Sequence, residues 1–182
     1  MWKRVNVDLW GPKTVKYQRI PGTRRKKAKV VLHVLTMIDP ATGWFECAAL
    51  KNAPTADEIH RLFDNHWLAR YPRPKEIGFD NGSEFKAEFL ELIENMGVKR
   101  KTSTSFNLPL NSILECVHQV FANNLQTFDL QNLELRPEDP FKEFITALAY
   151  AIQSTFHTTL GASPAQLVFG RDMFLPVLFE KD

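Results

Sequence analysis

Residues 5–12 read Val-Asn-Val-Asp-Leu-Trp-Gly-Pro, and this stretch decides how the chain begins. From Lys3 to Leu9 apolar and polar side chains alternate, which predicts a half-buried β-strand. Asp8 falls on the polar face of that strand. Gly11-Pro12 follows, and this pair predicts that the strand ends there. The basic residues up to Lys29 are then expected to form a long hairpin connection.

Four further strands are predicted along the chain. Val30–Ile38 is almost continuously apolar and β-branched, which is typical of a central strand buried on both faces. Residues 39–43 have turn chemistry, and Trp44–Leu50 predicts a third strand after it. These three strands are expected to form an antiparallel meander. Shorter strands are predicted at Glu76–Phe79 and Val98–Thr102.

Helices are predicted by capping signals and by apolar residues at a period of 3.6. Thr55-Ala56-Asp57-Glu58 is a capping box that opens one helix, and Gly97 ends a second. A third helix is expected over about residues 111–128 and a last one over about residues 139–157, which an Asp-Pro pair opens. Residues 160–182 are expected to be irregular. The whole chain is therefore predicted to be one mixed α/β domain.

Composition limits the class of protein. A chain of 182 residues, 44% of them hydrophobic, can bury one sizeable core. The sequence contains no run of 18 apolar residues and no apolar leader, so neither a membrane span nor a signal peptide is expected. Cys47 and Cys116 are far apart and indicate an intracellular protein without disulfides. Neither they nor the five histidines have zinc-ligand spacing.

Positive charge is concentrated near the start of the chain. Residues 1–29 carry ten of the 23 basic side chains and one of the 21 acidic ones, which leaves 13 basic and 20 acidic side chains elsewhere. Such segregation produces a local positive field suited to a polyanion such as nucleic acid. The run Arg24, Arg25, Lys26 and Lys27 is its densest part. A solvated basic loop or a nuclear-import patch explains the same run, and these readings stay open.

Three carboxylates stand out by their settings. Asp8 and Asp80 lie where apolar strands stop, and Glu115 lies on the predicted third helix. Taken singly, each has an ordinary explanation as a turn, cap or solvated surface residue. Together, acidic oxygens from strand, strand and helix are what two hard divalent cations need for cutting and joining phosphodiesters. Asp39 is a rival metal ligand, although the turn that follows it explains it more simply.

Several separate motifs, which span nearly the whole chain, resemble the catalytic core of retroviral and long-terminal-repeat retrotransposon integrases. This core belongs to the ribonuclease H-like nucleotidyl transferases. The motifs are Val7–Pro12, Leu35–Asp39 with Gly43–Glu46, Asp80–Phe85, Thr104–Asn107 through Glu115, His157–Thr159, Gly161–Ala165 and Phe169–Met173.

The resemblance implies a fold and an activity. The fold would be a ribonuclease H-like α/β domain with a mixed five-stranded sheet, an antiparallel meander plus parallel strands, flanked by helices. Asp8, Asp80 and Glu115 would form a D,D,E triad that binds two Mg²⁺ or Mn²⁺ ions. The activity would be 3′-end processing and strand transfer of retrotransposon DNA into target DNA, carried out by a homo-oligomer.

The resemblance also implies secondary sites and boundaries. Asn81 would orient substrate or a ligand, and Asn111 lies in a loop that approaches DNA ends in the family. His118, one turn after Glu115, is a further candidate for contact with DNA or a metal, with a solvated helix face as the alternative. Residues 1–160 would form the catalytic core and residues 161–182 its C-terminal extension. The expected location is the nucleus.

Two departures from the family pattern keep other functions open. Leu108-Pro109-Leu110 follows Asn107 where the family has Pro-Gln, and Cys116 replaces the usual Arg after the Glu. No Lys or Arg occurs over residues 112–135, so the predicted DNA-facing helix lacks phosphate-neutralising side chains. The basic segment Lys13–Lys29 is a candidate for compensation. The alternatives are a decayed or repurposed nucleic-acid-binding domain and a ribonuclease H-like nuclease.

Overall fold

The computed structural model describes residues 1–17, 28–50, 53–79, 88–102, 117–124 and 140–173. Its strands are β1 (Arg4–Tyr17), β2 (Ala28–Asp39), β3 (Trp44–Leu50), β4 (Glu76–Phe79) and β5 (Lys99–Thr102). The helices of these residues are α1 (Ala56–Phe63), α2 (Glu88–Asn95), α3 (residues 117–124), α4 (Pro140–Ser154) and α5 (Pro164–Phe169).

The strands form one five-stranded sheet in the order β3-β2-β1-β4-β5. β1, β2 and β3 pair antiparallel, whereas β4 is parallel to β1 and β5 is parallel to β4. The predicted meander and the mixed ribonuclease H-like α/β sheet flanked by helices are therefore confirmed. No helix in the described part of the chain is long and apolar enough to cross a membrane.

β1 contradicts the prediction that it ends at Gly11-Pro12. The strand continues to Tyr17, and its register against β2 shifts between Trp10 and Lys13. A register irregularity accommodates a proline that cannot donate to the ladder, so the strand survives the pair. Gly11 is required there, because its φ is +120° and a Cβ would lie 2.7 Å from the Leu32 carbonyl oxygen. The hairpin connection to β2 is correspondingly shorter than predicted.

The sheet separates two apolar clusters, because alternate side chains of a strand point to opposite faces. Val7 and Leu35 face one cluster, while Val34 and Ile38 face the other. Helices α1, α2 and α5 contribute to the first cluster and α3 and α4 to the second. The buried residues that α1, α2 and α5 contribute to the first cluster are Ile59, Phe63, Phe89, Ile93 and Ala165, and those that α3 and α4 contribute to the second are Val117, Phe121, Phe144, Ile145, Leu148 and Ala149.

The helix boundaries follow local signals in most places. The Thr55 side chain accepts a hydrogen bond from the Glu58 N–H and caps α1, as predicted. After α1 the chain widens into one π-helical turn over Asp64–Leu68. α4 starts at Pro140, in agreement with the predicted start of the last helix. α5 was missed, since residues 160–182 were expected to be irregular.

α5 forms because a local signal is present. Ser163 is its N-cap in a complete capping box with Gln166, and Pro164 occupies the first helical turn. Ala165 is fully buried against the first cluster. The helix is only six residues long, so it carries too few residues for a helical period to be visible in the sequence.

Candidate functional site

Asp8 lies in the middle of the sheet, where β1 has a neighbour on each side. On one side it pairs with Thr36 of β2. On the other side, the preceding residue Val7 pairs with Phe79, the last residue of β4. The Asp8 side chain is 39% exposed, and its Oδ1 accepts a hydrogen bond of 2.8 Å from the Leu9 N–H. Asp8 therefore offers its second oxygen, Oδ2, to groups above the sheet.

Helix α3 covers this position. Val117 and Phe121 are buried in the second cluster, and the Phe121 ring contacts the Trp10 ring edge-to-face at 5.0 Å. Trp10 is two residues after Asp8, so both side chains project from the same face of β1. The aromatic contact therefore positions α3 directly over Asp8. Val117 and Phe121 are four residues apart and both buried, as the 3.6-residue period of the predicted third helix requires.

His118 of α3 bridges Asp8 and Thr36. Its Nδ1 is 3.5 Å from Asp8 Oδ2, and its Nε2 is 3.0 Å from Thr36 Oγ1. The Thr36 hydroxyl also donates to the backbone carbonyl oxygen of Asp8 at 3.1 Å. Thr36 is fully buried and the His118 side chain is 20% exposed. The three residues form a closed polar cluster, so the His118 ring is not freely solvated.

Burial lowers the pKa of His118, and the nearby Asp8 carboxylate raises it by a smaller amount. The net direction is downward from the usual imidazole value of about 6.5. His118 is therefore mainly neutral at pH 7, with one protonated and one unprotonated ring nitrogen.

Most of the other predicted site residues lie outside the described part of the chain. These residues are Asp80, Asn81, Asn111, Glu115 and the basic run Arg24, Arg25, Lys26 and Lys27. Their roles stay predictions. Among the described residues no group of three or more His, Cys, Asp or Glu side chains could hold a metal ion.

Asp39 is a turn residue, as the sequence indicated. Its side chain is completely buried, and three donors satisfy it. Oδ1 accepts from the Ala41 N–H at 2.9 Å, and Oδ2 accepts from the Trp2 N–H at 3.0 Å and the Thr42 hydroxyl at 3.1 Å. Both oxygens are occupied by the fold, so Asp39 is not a metal ligand in this arrangement.

Sequence reasoning did not single out Thr36 or a second polar cluster at β3. The signal for Thr36 was a hydroxyl inside an apolar strand. In this polar group at β3, the Tyr71 hydroxyl donates to Glu46 Oε1, and Arg70 Nη1 lies 3.7 Å from Glu46 Oε2. Burial raises the pKa of Glu46 despite both partners. No local pattern joins these residues, because β3 and the segment after α1 meet only in the folded chain.

Comparisons with known proteins agree with this geometry. Residues 8–107 match the family described as integrase core domain. The HTLV-2 integrase catalytic core domain in complex with magnesium has a similar structure, with a TM-score of 0.60 and 18% identity over 91% of this chain and 95% of that one. A chain of the simian T-cell lymphotropic virus intasome gives a TM-score of 0.65 and 16% identity over 99% of this chain and 60% of that one.

A third similar structure is the catalytic core domain of BIV integrase, with a TM-score of 0.59 and 12% identity over 92% of this chain and 93% of that one. No curated protein sequence matches the chain. At these identities the structural likenesses establish the fold, and the family match rests on the sequence itself.

Proposed function

The chain belongs to the integrase core domain family, and from this premise we propose that it is the metal-dependent catalytic core of a retrotransposon integrase. Its substrates would be the ends of element DNA and target DNA. Its reactions would be 3′-end processing and strand transfer. In each, an oxygen nucleophile, from water or a DNA 3′-hydroxyl, attacks phosphorus while the bond to the leaving 3′-oxygen breaks.

One observation carries the proposal: three elements that adjoin the three predicted carboxylates converge at Asp8. β1 contains Asp8 itself. β4 ends at Phe79, beside Val7, and Asp80 is the next residue in the chain. Because consecutive Cα atoms are about 3.8 Å apart, the position of Phe79 supports the proposal that Asp80 acts at this site. α3 contacts Asp8 through His118, which is three positions after Glu115.

Asp8 has the properties required of a metal ligand. Its carboxylate is partly exposed, the backbone N–H of Leu9 donates to Oδ1, and Oδ2 faces His118. Bound Mg²⁺ or Mn²⁺, as a pair of ions, would activate the nucleophile and stabilise the leaving oxygen. We propose that Asp80 and Glu115 supply the remaining carboxylates. Three carboxylates close together repel each other, which favours cation binding.

The chain's own residues would also bind the DNA. We propose that the basic run Arg24, Arg25, Lys26 and Lys27 neutralises phosphates, and that Asn81 and Asn111 contact the DNA ends. The concentration of ten basic side chains in residues 1–29 supports this assignment. Assembly as a homo-oligomer and action in the nucleus belong to the same proposal, since target DNA is chromosomal.

The test is a Mn²⁺-dependent nicking and strand-transfer assay on labelled oligonucleotides. Wild type is compared with Asp8→Asn, Asp80→Asn and Glu115→Gln. Each change removes a negative ligand charge while the side-chain size is kept, so each should lower product formation by 100-fold or more, an order-of-magnitude expectation for a ligand. Equal activity in the four proteins would contradict the triad.

A matched control separates ligand loss from general damage. Glu94 is an exposed carboxylate on α2, and Glu94→Gln should retain wild-type activity. Salt-dependent DNA binding with the basic run Arg24–Lys27 changed to Gln tests the second part. Each lost phosphate contact should flatten the slope of log affinity against log salt by about one.

A specific observation favours one alternative, a decayed or repurposed integrase core that binds nucleic acid without catalysis. α3 exposes Gln119, Val120 and Asn123, and no Lys or Arg occurs over residues 112–135. This helix therefore offers DNA no positive charge. A wild-type chain that binds DNA but forms no product in Mn²⁺ would favour this alternative. A ribonuclease H-like nuclease would instead cleave DNA or RNA without joining it.

A further inference from the structure

Basic side chains from three distant parts of the chain meet at the end of the sheet where β1, β4 and β5 begin. The backbone N–H of Lys75 donates to the Lys3 carbonyl oxygen at 2.8 Å, and the Lys99 N–H donates to the Lys75 carbonyl oxygen at 3.0 Å. Three lysines therefore lie side by side on neighbouring segments, and all three are exposed. This region is called the basic end of the sheet below, and its residues are Lys3, Arg4, Arg73, Lys75, Lys99 and Arg100.

The charge of the basic end is strongly positive. Two carboxylates of the described residues adjoin its six basic side chains: Glu76, which starts β4, and Glu94, in the last turn of α2. Six positive and two negative charges leave a balance of +4, whereas the formal charge of the whole chain is only +2. A local field of this sign attracts a polyanion.

Arg4 is held in place by the fold. Its Nε donates to Asn6 Oδ1 at 3.0 Å, and Asn6 is buried. Asn6 pairs with Gly78 of β4, where a Cβ would clash with Asn6 Oδ1 and would lie 3.1 Å from Arg4 Nη2. Gly78 therefore provides the space in which the guanidinium lies against β4. Because one N–H of the guanidinium is already fixed, Arg4 loses less rotamer entropy when its other donors bind a phosphate.

The basic end lies within reach of DNA that is bound at Asp8. Arg4 and Asp8 are four residues apart on β1, so their side chains project from the same face of the sheet. At about 3.3 Å per residue they are about 13 Å apart along the strand. One DNA strand carries a phosphate every 3.4 Å or so of helix axis, so about four nucleotides span this distance. Helix α3, which covers Asp8, contains no Lys or Arg that could neutralise these phosphates.

We propose that the basic end of the sheet binds the phosphate backbone of duplex DNA, in addition to the basic run Arg24–Lys27. Neighbouring strands are about 4.8 Å apart, so Lys3, Lys75 and Lys99 span about 10 Å, which matches about three successive phosphates of one strand. Lysine and arginine are the side chains that neutralise DNA phosphates. The inference rests on the proposed function in one respect, the identity of the polyanion as DNA.

Acetylation of the lysines in the wild-type chain, measured by mass spectrometry with and without a DNA duplex, locates the contact directly. Bound phosphates shield the amines, so acetylation of Lys3, Lys75 and Lys99 should fall severalfold when the duplex is added. Lys142 on α4 is an exposed lysine outside the basic end and should keep its reactivity. Because this measurement uses the wild-type chain, a poorly folded variant does not remove the test.

The salt dependence of DNA binding then counts the contacts. One triple variant carries Lys3→Gln, Lys75→Gln and Lys99→Gln. Its slope of log affinity against log salt should be flatter than that of wild type by about 2–3, which is three contacts at about 0.9 each. The matched control removes the same net charge from exposed positions on α1, on α4 and after α5, and it carries Arg61→Gln, Lys142→Gln and Arg171→Gln. This control should keep the wild-type slope.

Four outcomes would count against the proposal. Equal flattening in the two triple variants would show that net charge, and not its placement, sets the affinity. Protection of the three lysines by poly-glutamate but not by the duplex would assign the surface to an acidic protein instead. Protection confined to Lys26 and Lys27 would overturn this inference while the DNA binding of the proposed function stands. A wild-type chain that binds no DNA would contradict both.

Discussion

Replacing Asp39 by Asn removes the negative charge from a buried carboxylate that holds three parts of the chain together. Oδ2 receives the backbone N–H of Trp2, at the start of the chain, and the hydroxyl of Thr42. Oδ1 receives the N–H of Ala41 in the turn between β2 and β3. In Asp39→Asn, one oxygen can still accept from Ala41, but an NH₂ group then faces Trp2 and Thr42. The two bonds at Oδ2 are lost.

The cost follows from those two bonds. A hydrogen bond to a charged acceptor contributes about 1.5–3 kcal/mol, so two are worth about 3–6 kcal/mol. The Thr42 hydroxyl can rotate and accept from the new NH₂ group, which returns about 1 kcal/mol. The Trp2 N–H is only partly buried, and water replaces some of its loss. We therefore expect Asp39→Asn to lower the free energy of unfolding by about 2–4 kcal/mol.

Urea unfolding followed by tryptophan fluorescence measures this loss. With a slope of about 2 kcal/mol per molar, the midpoint should fall by about 1–2 M with the slope unchanged. Asp57→Asn is the control, since that side chain is 70% exposed and forms an ion pair with Arg61 at 3.4 Å. The control should change stability by less than about 0.5 kcal/mol. An Asp39→Asn protein as stable as the control would refute the reasoning, as would selective loss of Mn²⁺ binding in a folded Asp39→Asn protein.

Two further predictions concern the same sheet. Gly43 has a φ of +71°, and a Cβ there would lie 3.0 Å from the Leu160 side chain. Gly43→Ala should therefore lower the free energy of unfolding in urea by about 1–2 kcal/mol. Gly161→Ala is the control and should cost less, because φ is +67° there but no atom lies within 4 Å. An equal loss in the two proteins would exclude a cost from the Leu160 contact. Burial raises the pKa of Glu46 in the folded state, so the stability linked to its protonation is complete below the unfolded pKa of about 4.3 and is lost as pH rises through the folded pKa. Glu46→Gln should flatten the pH dependence of the urea midpoint from about pH 4 upward. The exposed control Glu94→Gln should show the pH dependence of wild type. A wild-type pH dependence in Glu46→Gln would contradict the prediction.

Local features of the sequence were sufficient for most of the fold. Trp44–Leu50 and Glu76–Phe79 form strands with the predicted bounds, because short runs rich in apolar residues reflect burial within a strand. The Thr55 cap was predictable for the same kind of reason, since its bond reaches only three residues along the chain. The turn role of Asp39 was likewise visible in the five residues that begin with it.

The site was less accessible to sequence reasoning. Asp8 was predicted to lie on the polar face of β1, and its side chain is partly exposed in the structure. The continuation of β1 beyond Gly11-Pro12 could not be predicted, since it depends on pairing with β2 across a shifted register. Whether a Gly-Pro pair ends a strand or is absorbed by an irregularity is decided by the neighbouring strand.

By itself the sequence determined which segments form strands and helices and which carboxylates are candidates, because periodicity and capping act over a few residues. The tertiary structure alone decided what surrounds Asp8. Thr36 and His118 are 82 residues apart in sequence and meet only when α3 packs on the second cluster through Phe121 and Trp10. Sheet register and helix packing set which nitrogen of His118 faces the carboxylate, and neither leaves a signal in a local pattern.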